Sequence, residues 1–229
     1  MKKNYNQVLR MILLCTGLCL VGLGGSIFLF SRMGADPFNL LAQGLSQIFG
    51  FQVGTGSILL QALSFVLLML MWREKINVGT FLGTFLIGSS LNMWTSLLNP
   101  ILENANFIVR LCCVFFAPFL IGFSIAVIQI ANMGMVPNDI MPLFFYKLQN
   151  RFQFKTIRIF YDSVFLVCGV LLGGILGIGT VLSALLTGPI IQYSLKLLQP
   201  VQRFLGNTDH LHINHKFVAN PIQNDNELM

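Results

Sequence analysis

The residues of this sequence with the clearest chemical potential lie in two similar motifs, 100 residues apart. Met33 to Asn39 reads MGADPFN, and Met133 to Asp139 reads MGMVPND. Glycine permits unusual backbone angles, proline suits the first turn of a helix, and Asn or Asp suits the positive end of a helix dipole. We therefore predict that both motifs begin short helices whose ends line a site for a small solute. The candidate site residues are Gly34, Pro37, Asn39, Gly134, Pro137 and Asp139.

One further candidate site residue, Asp162, lies about one turn inside a predicted apolar helix. A carboxylate at such a position is expected to have a function, because an isolated charge is costly within a membrane. Arg158 lies four residues earlier, on the same helical face. Asp162 therefore has two interpretations. It contributes to the solute site, or it forms a structural ion pair with Arg158 near the cytoplasmic membrane boundary.

No group of residues matches a catalytic or metal-binding pattern. The sequence has no Ser-His-Asp set, paired carboxylates, HExxH or Walker motif, so we predict that the protein is not an enzyme. The five cysteines form no metal-ligand pattern and are interpreted as apolar packing residues. Residues 204–229 are predicted to be a polar, disordered cytoplasmic tail. Its histidines lack acidic or cysteine partners at ligand spacing, so we predict neither a metal nor a cofactor; they are His210, His212 and His215.

The overall composition is that of a membrane protein. Of the 229 residues, 55% are hydrophobic and only 10% are charged, whereas soluble proteins carry roughly a quarter charged residues. A helix needs about 20 mostly apolar residues to cross the hydrocarbon core of a bilayer. We predict an all-α membrane protein with six spans, which are Met11–Phe30, Ser57–Trp72, Val78–Leu98, Phe107–Ala131, Ile157–Gly173 and Ile175–Leu195.

The distribution of basic residues predicts how the chain crosses the membrane. Met11–Phe30 is long for the apolar part of a signal peptide and no A-x-A-like site follows it, so we expect it to be retained. With the N-terminus in the cytoplasm, only Arg32 and Arg110 of the 14 Lys and Arg residues lie outside, as the positive-inside rule requires. Both termini are therefore predicted to be cytoplasmic. The net charge of +6 follows from this arrangement and does not indicate nucleic-acid binding.

The two motifs belong to an internal repeat. At an offset of 100 residues, several glycines and prolines between Gly22 and Pro100 coincide with those of the second half without a gap. Glycine and proline reflect backbone geometry, so their agreement favours a structural repeat. The alternative is an ordinary six-helix bundle in which these matches are accidental. Residues 1–100 and 101–203 each supply three spans, an odd number, so the second half is predicted to be inverted. The same alignment places the turn between the last two spans at Gly173-Gly174.

Each half also contains a short segment after its motif, Phe38–Phe49 in the first half and Asn138–Gln149 in the second. A helix of about 12 residues is roughly 18 Å long, which is too short to cross a bilayer. Two interpretations remain open. Both segments are re-entrant half-helices whose N-terminal ends frame a central site, or both are helices that lie flat at the membrane interface.

Five segments of the chain resemble those of a known protein family. They are SRMGADPFNLLAQGLS, VGTGS, INVGTFLGTFLIG, RIFYD and LLGGILGIGTVLSALLTGP, and together they resemble the YczE/YyaS/YitT family of bacterial integral membrane proteins. The resemblance extends over nearly all of residues 10–200. It implies a bacterial plasma-membrane protein of a largely uncharacterised family, and it supplies no substrate, cofactor or catalytic residue. The YitT-like members often carry a soluble C-terminal domain, whereas this chain has a short tail and is more similar to the YczE-like members.

These observations predict a transporter or channel for a small solute, with its site at the interface between two inverted repeats. The alternative is an accessory or substrate-binding subunit of a larger membrane complex, which does not transport by itself. In both cases the lipid bilayer surrounds the protein. The candidate protein partners are further copies of the chain or another membrane protein.

Overall fold

The computed structural model describes residues 2–102, 105–149 and 152–205. In these ranges the chain is helical and contains no strand. Most of the predicted tail, from position 206 onward, lies outside the described residues. This part includes His210, His212 and His215. The first residue of the predicted tail, Phe204, is instead the last residue of a helix. The α-helices are α1 (Lys2–Ser31), α2 (Pro37–Phe49), α3 (Val53–Met71), α4 (Val78–Leu102), α5 (Phe107–Ala131), α6 (Pro137–Leu148), α7 (Phe154–Leu171), α8 (Ile178–Leu197) and α9 (Gln199–Phe204), and a 3-10 turn, Arg73–Lys75, follows α3.

Five of the described helices are long and apolar enough to cross a membrane. The remaining predicted span, Ile157–Gly173, corresponds to α7. This helix differs from the others because three of its 18 residues are charged, namely Lys155, Arg158 and Asp162. The described chain is therefore an all-helical protein with five candidate membrane-spanning segments, which are Asn6–Ser31, Val53–Met71, Val78–Pro100, Phe107–Ala131 and Ile178–Leu197.

Large apolar side chains cover the outer faces of the helices. Leu70 and Leu171 are each 79% exposed, and Leu185 is 66% exposed. Contact between such side chains and water is unfavourable, whereas contact with lipid chains is not. The surface therefore suits a membrane environment.

α1 and α5 pack against each other and form the centre of the molecule. They run antiparallel, because Leu14 and Leu18 of α1 pack with Ile128 of α5, whereas Phe28 packs with Val114. α4 covers α1 on one side, and α8 covers α5 on the other. Close packing of this kind stabilises contacts between helices in lipid, where the hydrophobic effect does not drive them together.

α7 and α8 are separated by a turn at the predicted position, Gly173-Gly174. α7 ends at Leu171, and Gly173 has a φ of 95°, a conformation that favours glycine. The Gly174 N–H donates to the carbonyl of Gly169 at 2.8 Å, which closes the turn.

Unusual backbone conformations recur at the offset of 100 residues that the sequence predicts. Gly34 has a φ of 99° and Gly134 a φ of 118°. Two residues earlier in each motif, Arg32 and Asn132 also have positive φ angles, of 53° and 49°. Positive φ is uncommon outside glycine, so this agreement indicates the same turn in both halves.

Two hydrogen bonds link the halves in a reciprocal way. The Gly179 N–H, at the start of α8, donates to the carbonyl of Met33 at 2.8 Å. The Gly79 N–H, at the start of α4, donates to the carbonyl of Met133 at 2.9 Å. Each motif therefore binds the first turn of a helix that belongs to the opposite half.

Candidate functional site

The first motif places Asp36 and Asn39 at the start of α2. Pro37 is the first residue of the helix, a position where the missing N–H is tolerated. The Asp36 carboxylate accepts hydrogen bonds from the backbone N–H of Asn39 at 3.2 Å and from its side-chain amide at 2.6 Å. The predicted site residue Asn39 is therefore buried and bonded to Asp36. The prediction missed Asp36, although an acidic residue just before a proline at a helix start is a recognisable N-cap signal.

The second motif starts α6 in the same way, with Pro137 as the first residue and Asp139 in the first turn. The Asn138 N–H donates to Oε1 of Gln61 in α3 at 3.2 Å. The Tyr161 hydroxyl of α7 donates to Oδ1 of Asn138 at 3.0 Å. The start of α6 is therefore held between α3 and α7. Sequence reasoning missed Asn138 and Tyr161, because their partners are distant along the chain.

Arg158 joins the two predicted carboxylates. Its Nε donates to Oδ2 of Asp162 at 3.1 Å, and its Nη1 donates to Oδ1 of Asp139 at 3.1 Å. Asp36 interacts electrostatically with Arg158 at longer range. The three bonded side chains are 27–35% exposed, so both ion pairs are only partly shielded from solvent. The predicted pair between Arg158 and Asp162 is therefore present, and Asp139 shares it.

These side chains form one region, which we call the polar cluster and which comprises Asp36, Asn39, Gln61, Asn138, Asp139, Arg158, Tyr161 and Asp162. Aromatic contacts connect its two sides. The ring centroid of Phe38, at the start of α2, lies 6.1 Å from that of Phe165, which lies 4.5 Å from that of Tyr161. Arg158 thus bonds two of the predicted site residues, Asp139 and Asp162, whereas the third, Asn39, is bonded to Asp36 beside Phe38. Their role in solute binding stays a prediction.

Gly34 and Gly134 lie in the turns before the short helices, and their nearest neighbours belong to the opposite half. A Cβ atom on Gly34 would lie 2.7 Å from the backbone nitrogen of Gly177. A Cβ atom on Gly134 would lie 2.8 Å from the Cβ of Asn77. Both glycines therefore have a structural role, since they combine a positive φ with a close approach between segments.

α6 runs beside the second half of α3. It begins beside Gln61, which lies roughly 12–15 Å from either end of α3 at about 1.5 Å per residue. It ends near Trp72, where the Lys147 Nζ lies 5.1 Å from the centroid of the indole ring. α6 therefore extends from the middle of a long apolar helix to the end of that helix.

α2 has a matching arrangement beside α7. Phe38 contacts Phe165 within α7, and Gly44 lies against Gly169 near its C-terminal end. Oε1 of Gln43 accepts a hydrogen bond from the N–H of Ile175 at 2.8 Å, in the turn after α7. α2 therefore extends from within α7 to the turn that follows it.

The polar cluster offers ionic and hydrogen-bonding groups to a ligand. It contains carboxylates, a guanidinium group, amides and a phenol, which bind polar or charged molecules. In the described part of the chain, no group of three or more His, Cys, Asp or Glu side chains is placed to hold a metal ion.

Comparison with known proteins identifies the family. Residues 8–196 match the family of unknown function DUF6198. An uncharacterized protein of Haemophilus influenzae is 27% identical over 191 residues, which cover 81% of this chain and 83% of that protein. In Bacillus subtilis, the uncharacterized protein YyaS is 24% identical over 80% of this chain and 90% of its own length. The uncharacterized membrane protein YczE of the same organism is 28% identical, over 82% and 86% of the two chains. No solved structure matches the chain.

The matched region includes both motifs and all of the long apolar helices, apart from the start of α1 and the last residue of α8. The resemblance to YczE and YyaS is therefore confirmed. The described helices and the relation to YczE agree on a multi-pass membrane protein. The chain belongs to DUF6198, a family of unknown function.

Proposed function

We propose that the protein is a small-solute transporter or channel without enzymatic activity, and that the solute binds at the polar cluster. The observation that supports this most is the placement of α2 and α6, whose proline-led ends lie beside the interior of longer helices. Short helices that end near the membrane centre with polar groups are a recurring feature of transporters. In this proposal both short helices are re-entrant, because an interfacial helix would contact its neighbour only near one end.

The proposal includes two inverted repeats in a bacterial plasma membrane, with both chain termini in the cytoplasm. The reciprocal bonds from Gly179 to Met33 and from Gly79 to Met133 support an equivalence between the halves. Because each bond joins a motif of one half to a helix of the other, the pair is what a two-fold axis between the halves would generate.

The proposal also adds α7 as a further span, which brings the number of spans to six and is the fifth in chain order. Its charges lie towards the N-terminal end, with Lys155 in the first turn and Arg158 one turn later. Arg158 compensates the charge of Asp162, which reduces the cost of placing this carboxylate in the membrane. The remainder of the helix, from Val164 to Leu171, carries no charge.

The ion pairs of Arg158 suggest how solute binding is linked to movement. Arg158 bonds Asp139 of α6 and Asp162 of its own helix, α7. A polar solute that binds one of these carboxylates competes with Arg158 and weakens the link between α6 and α7. Binding energy is then available to change the relative position of the two helices, as alternating access requires.

The proposal is tested by uptake into liposomes that contain the purified full chain, with a panel of radiolabelled amino acids, sugars and inorganic ions. We expect uptake of at least one solute. Asp139→Asn and Asp162→Asn are expected to lower it about tenfold or more, because a hydrogen bond to a charged group contributes about 1.5–3 kcal/mol. Ser163→Ala is the matched control, because the exposed Ser163 hydroxyl donates only within its helix, to the carbonyl of Ile159.

Absence of uptake for every solute, or an equal loss in Ser163→Ala, would contradict the transport proposal.

One observation favours the accessory role as a second candidate function. α7 and α8 make little contact, and no heavy atom lies within 4 Å of where a Cβ on Gly188 would be, so a membrane partner has room there. Purification in mild detergent distinguishes the two functions, because an accessory subunit is expected to retain a stoichiometric partner.

A further inference from the structure

A pocket outside the polar cluster lies between the start of α1, the start of α4 and the loop after α5. Its volume is about 290 Å³. The segment of α1 suited to cross the membrane begins at Asn6, so the pocket lies near the end of a spanning helix. A pocket at this level faces the headgroup region of a bilayer. Its lining residues are Gln7, Arg10, Asn77, Val78, Asn132 and Met133.

Arg10 gives the pocket a positive charge that no carboxylate of the described residues neutralises. A guanidinium group has five N–H donors. Nη2 of Arg10 donates to the carbonyl of Leu205 at 2.9 Å, whereas Nε is buried without a hydrogen-bond partner among the described residues. The ion pairs found in residues 2–102, 105–149 and 152–205 all involve Arg158, so Arg10 has no carboxylate partner there. An anion in the pocket would supply acceptors for the N–H donors of the guanidinium group that face the pocket.

The other groups around the pocket also favour an anion. No acidic side chain is among the lining residues. Asn77 directly precedes α4, a helix of 25 residues, and the positive end of its dipole attracts negative charge. The carbonyl of Met133, which would repel an anion, already accepts a hydrogen bond from Gly79 at 2.9 Å.

We propose that this pocket binds a phosphate group, either in the headgroup of an anionic lipid or as free phosphate. The guanidinium fork matches the oxygen atoms of a phosphate, and the amides of Gln7 and Asn77 add donors. Basic pockets between helices at a membrane surface bind anionic lipid headgroups in this way. This site is separate from the polar cluster, and it does not depend on transport.

Two pocket variants and one control test the proposal in the full chain. Arg10→Gln removes the charge. Asn77→Asp adds a carboxylate to the pocket, and it leaves the start of α4 intact because Asp and Asn are equally suited to a helix N-terminus. Arg73→Gln is the control, since it removes the same charge from an exposed residue of the 3-10 turn.

Binding is measured with nanodiscs of phosphatidylglycerol or phosphatidylcholine, by counting retained lipids in native mass spectrometry, and with inorganic phosphate in neutral detergent. We expect the wild type to prefer phosphatidylglycerol or to bind phosphate, and both pocket variants to weaken that binding about tenfold or more. Binding of the lipid alone identifies the headgroup as the source, and equal binding of phosphate identifies the free anion. Unchanged binding in both pocket variants, or an equal loss in Arg73→Gln, overturns the proposal.

Discussion

Arg158 carries the positive charge of the polar cluster, against the carboxylates of Asp36, Asp139 and Asp162. Arg158→Gln leaves these partly shielded carboxylates uncompensated, so we expect a loss of about 1–3 kcal/mol in the free energy of unfolding. Asp162→Asn is expected to cost less, because Arg158 keeps its bond to Asp139. The order of the two effects is measured by thermal unfolding in detergent.

Arg73→Gln serves as the control for this prediction, because Arg73 is exposed and its removal is expected to change the stability by less than about 0.5 kcal/mol. Equal stability of Arg158→Gln and the wild type would show that the ion pairs do not support the fold.

At the scale of single residues, the sequence predicts only part of the polar cluster. The pair of Arg158 and Asp162 follows from their spacing in one helix. The bond from Arg158 to Asp139 depends on how α6 packs against α7, and no local pattern reports that.

Helix packing differs between the halves at one matched pair of glycines. A Cβ on Gly88 of α4 would overlap the carbonyl oxygen of Gly54 in α3, whereas a Cβ on Gly188 of α8 would meet no heavy atom within 4 Å. We therefore expect Gly88→Ala to lower the stability by about 1–3 kcal/mol. Gly188→Ala is expected to be neutral, or to gain up to about 1 kcal/mol from helix propensity. Thermal unfolding midpoints compare the two, and a larger loss in Gly188→Ala would contradict the observed packing.

The sequence predicts both ends of α5, Phe107–Ala131, and comes within one residue for the short helices. The structure has them at Pro37–Phe49 and Pro137–Leu148, within one residue of the predicted segments, because each begins at a proline. The repeat predicts less well how α7 packs. In the first half, Gly54 allows α3 to approach α4, and the Gly54 N–H donates to Oδ1 of Asn92 in α4 at 2.7 Å. The position equivalent to Gly54 in the second half is Phe154, whose large side chain does not permit the same approach to α8.

For the whole molecule, the proposed inversion of the halves determines where a central site would lie. If the halves are inverted, the turns before α2 and α6 face opposite sides of the membrane, and the two short helices enter from opposite sides. The composition and the basic residues predict the membrane class and an orientation. They do not report the depth of the polar cluster, which follows from contacts between α6 and α3 and between α2 and α7.

Cysteine accessibility at two equivalent positions tests the inverted relation. Arg32→Cys and Asn132→Cys are made singly in a variant that lacks the five native cysteines, at positions that are both exposed and both have positive φ. Intact cells are labelled with a membrane-impermeant maleimide, before and after permeabilisation. Inverted repeats with a cytoplasmic N-terminus predict labelling of Arg32→Cys in intact cells and of Asn132→Cys only after permeabilisation. Labelling of both variants from the same side would contradict the inversion and, with it, a site between opposed half-helices.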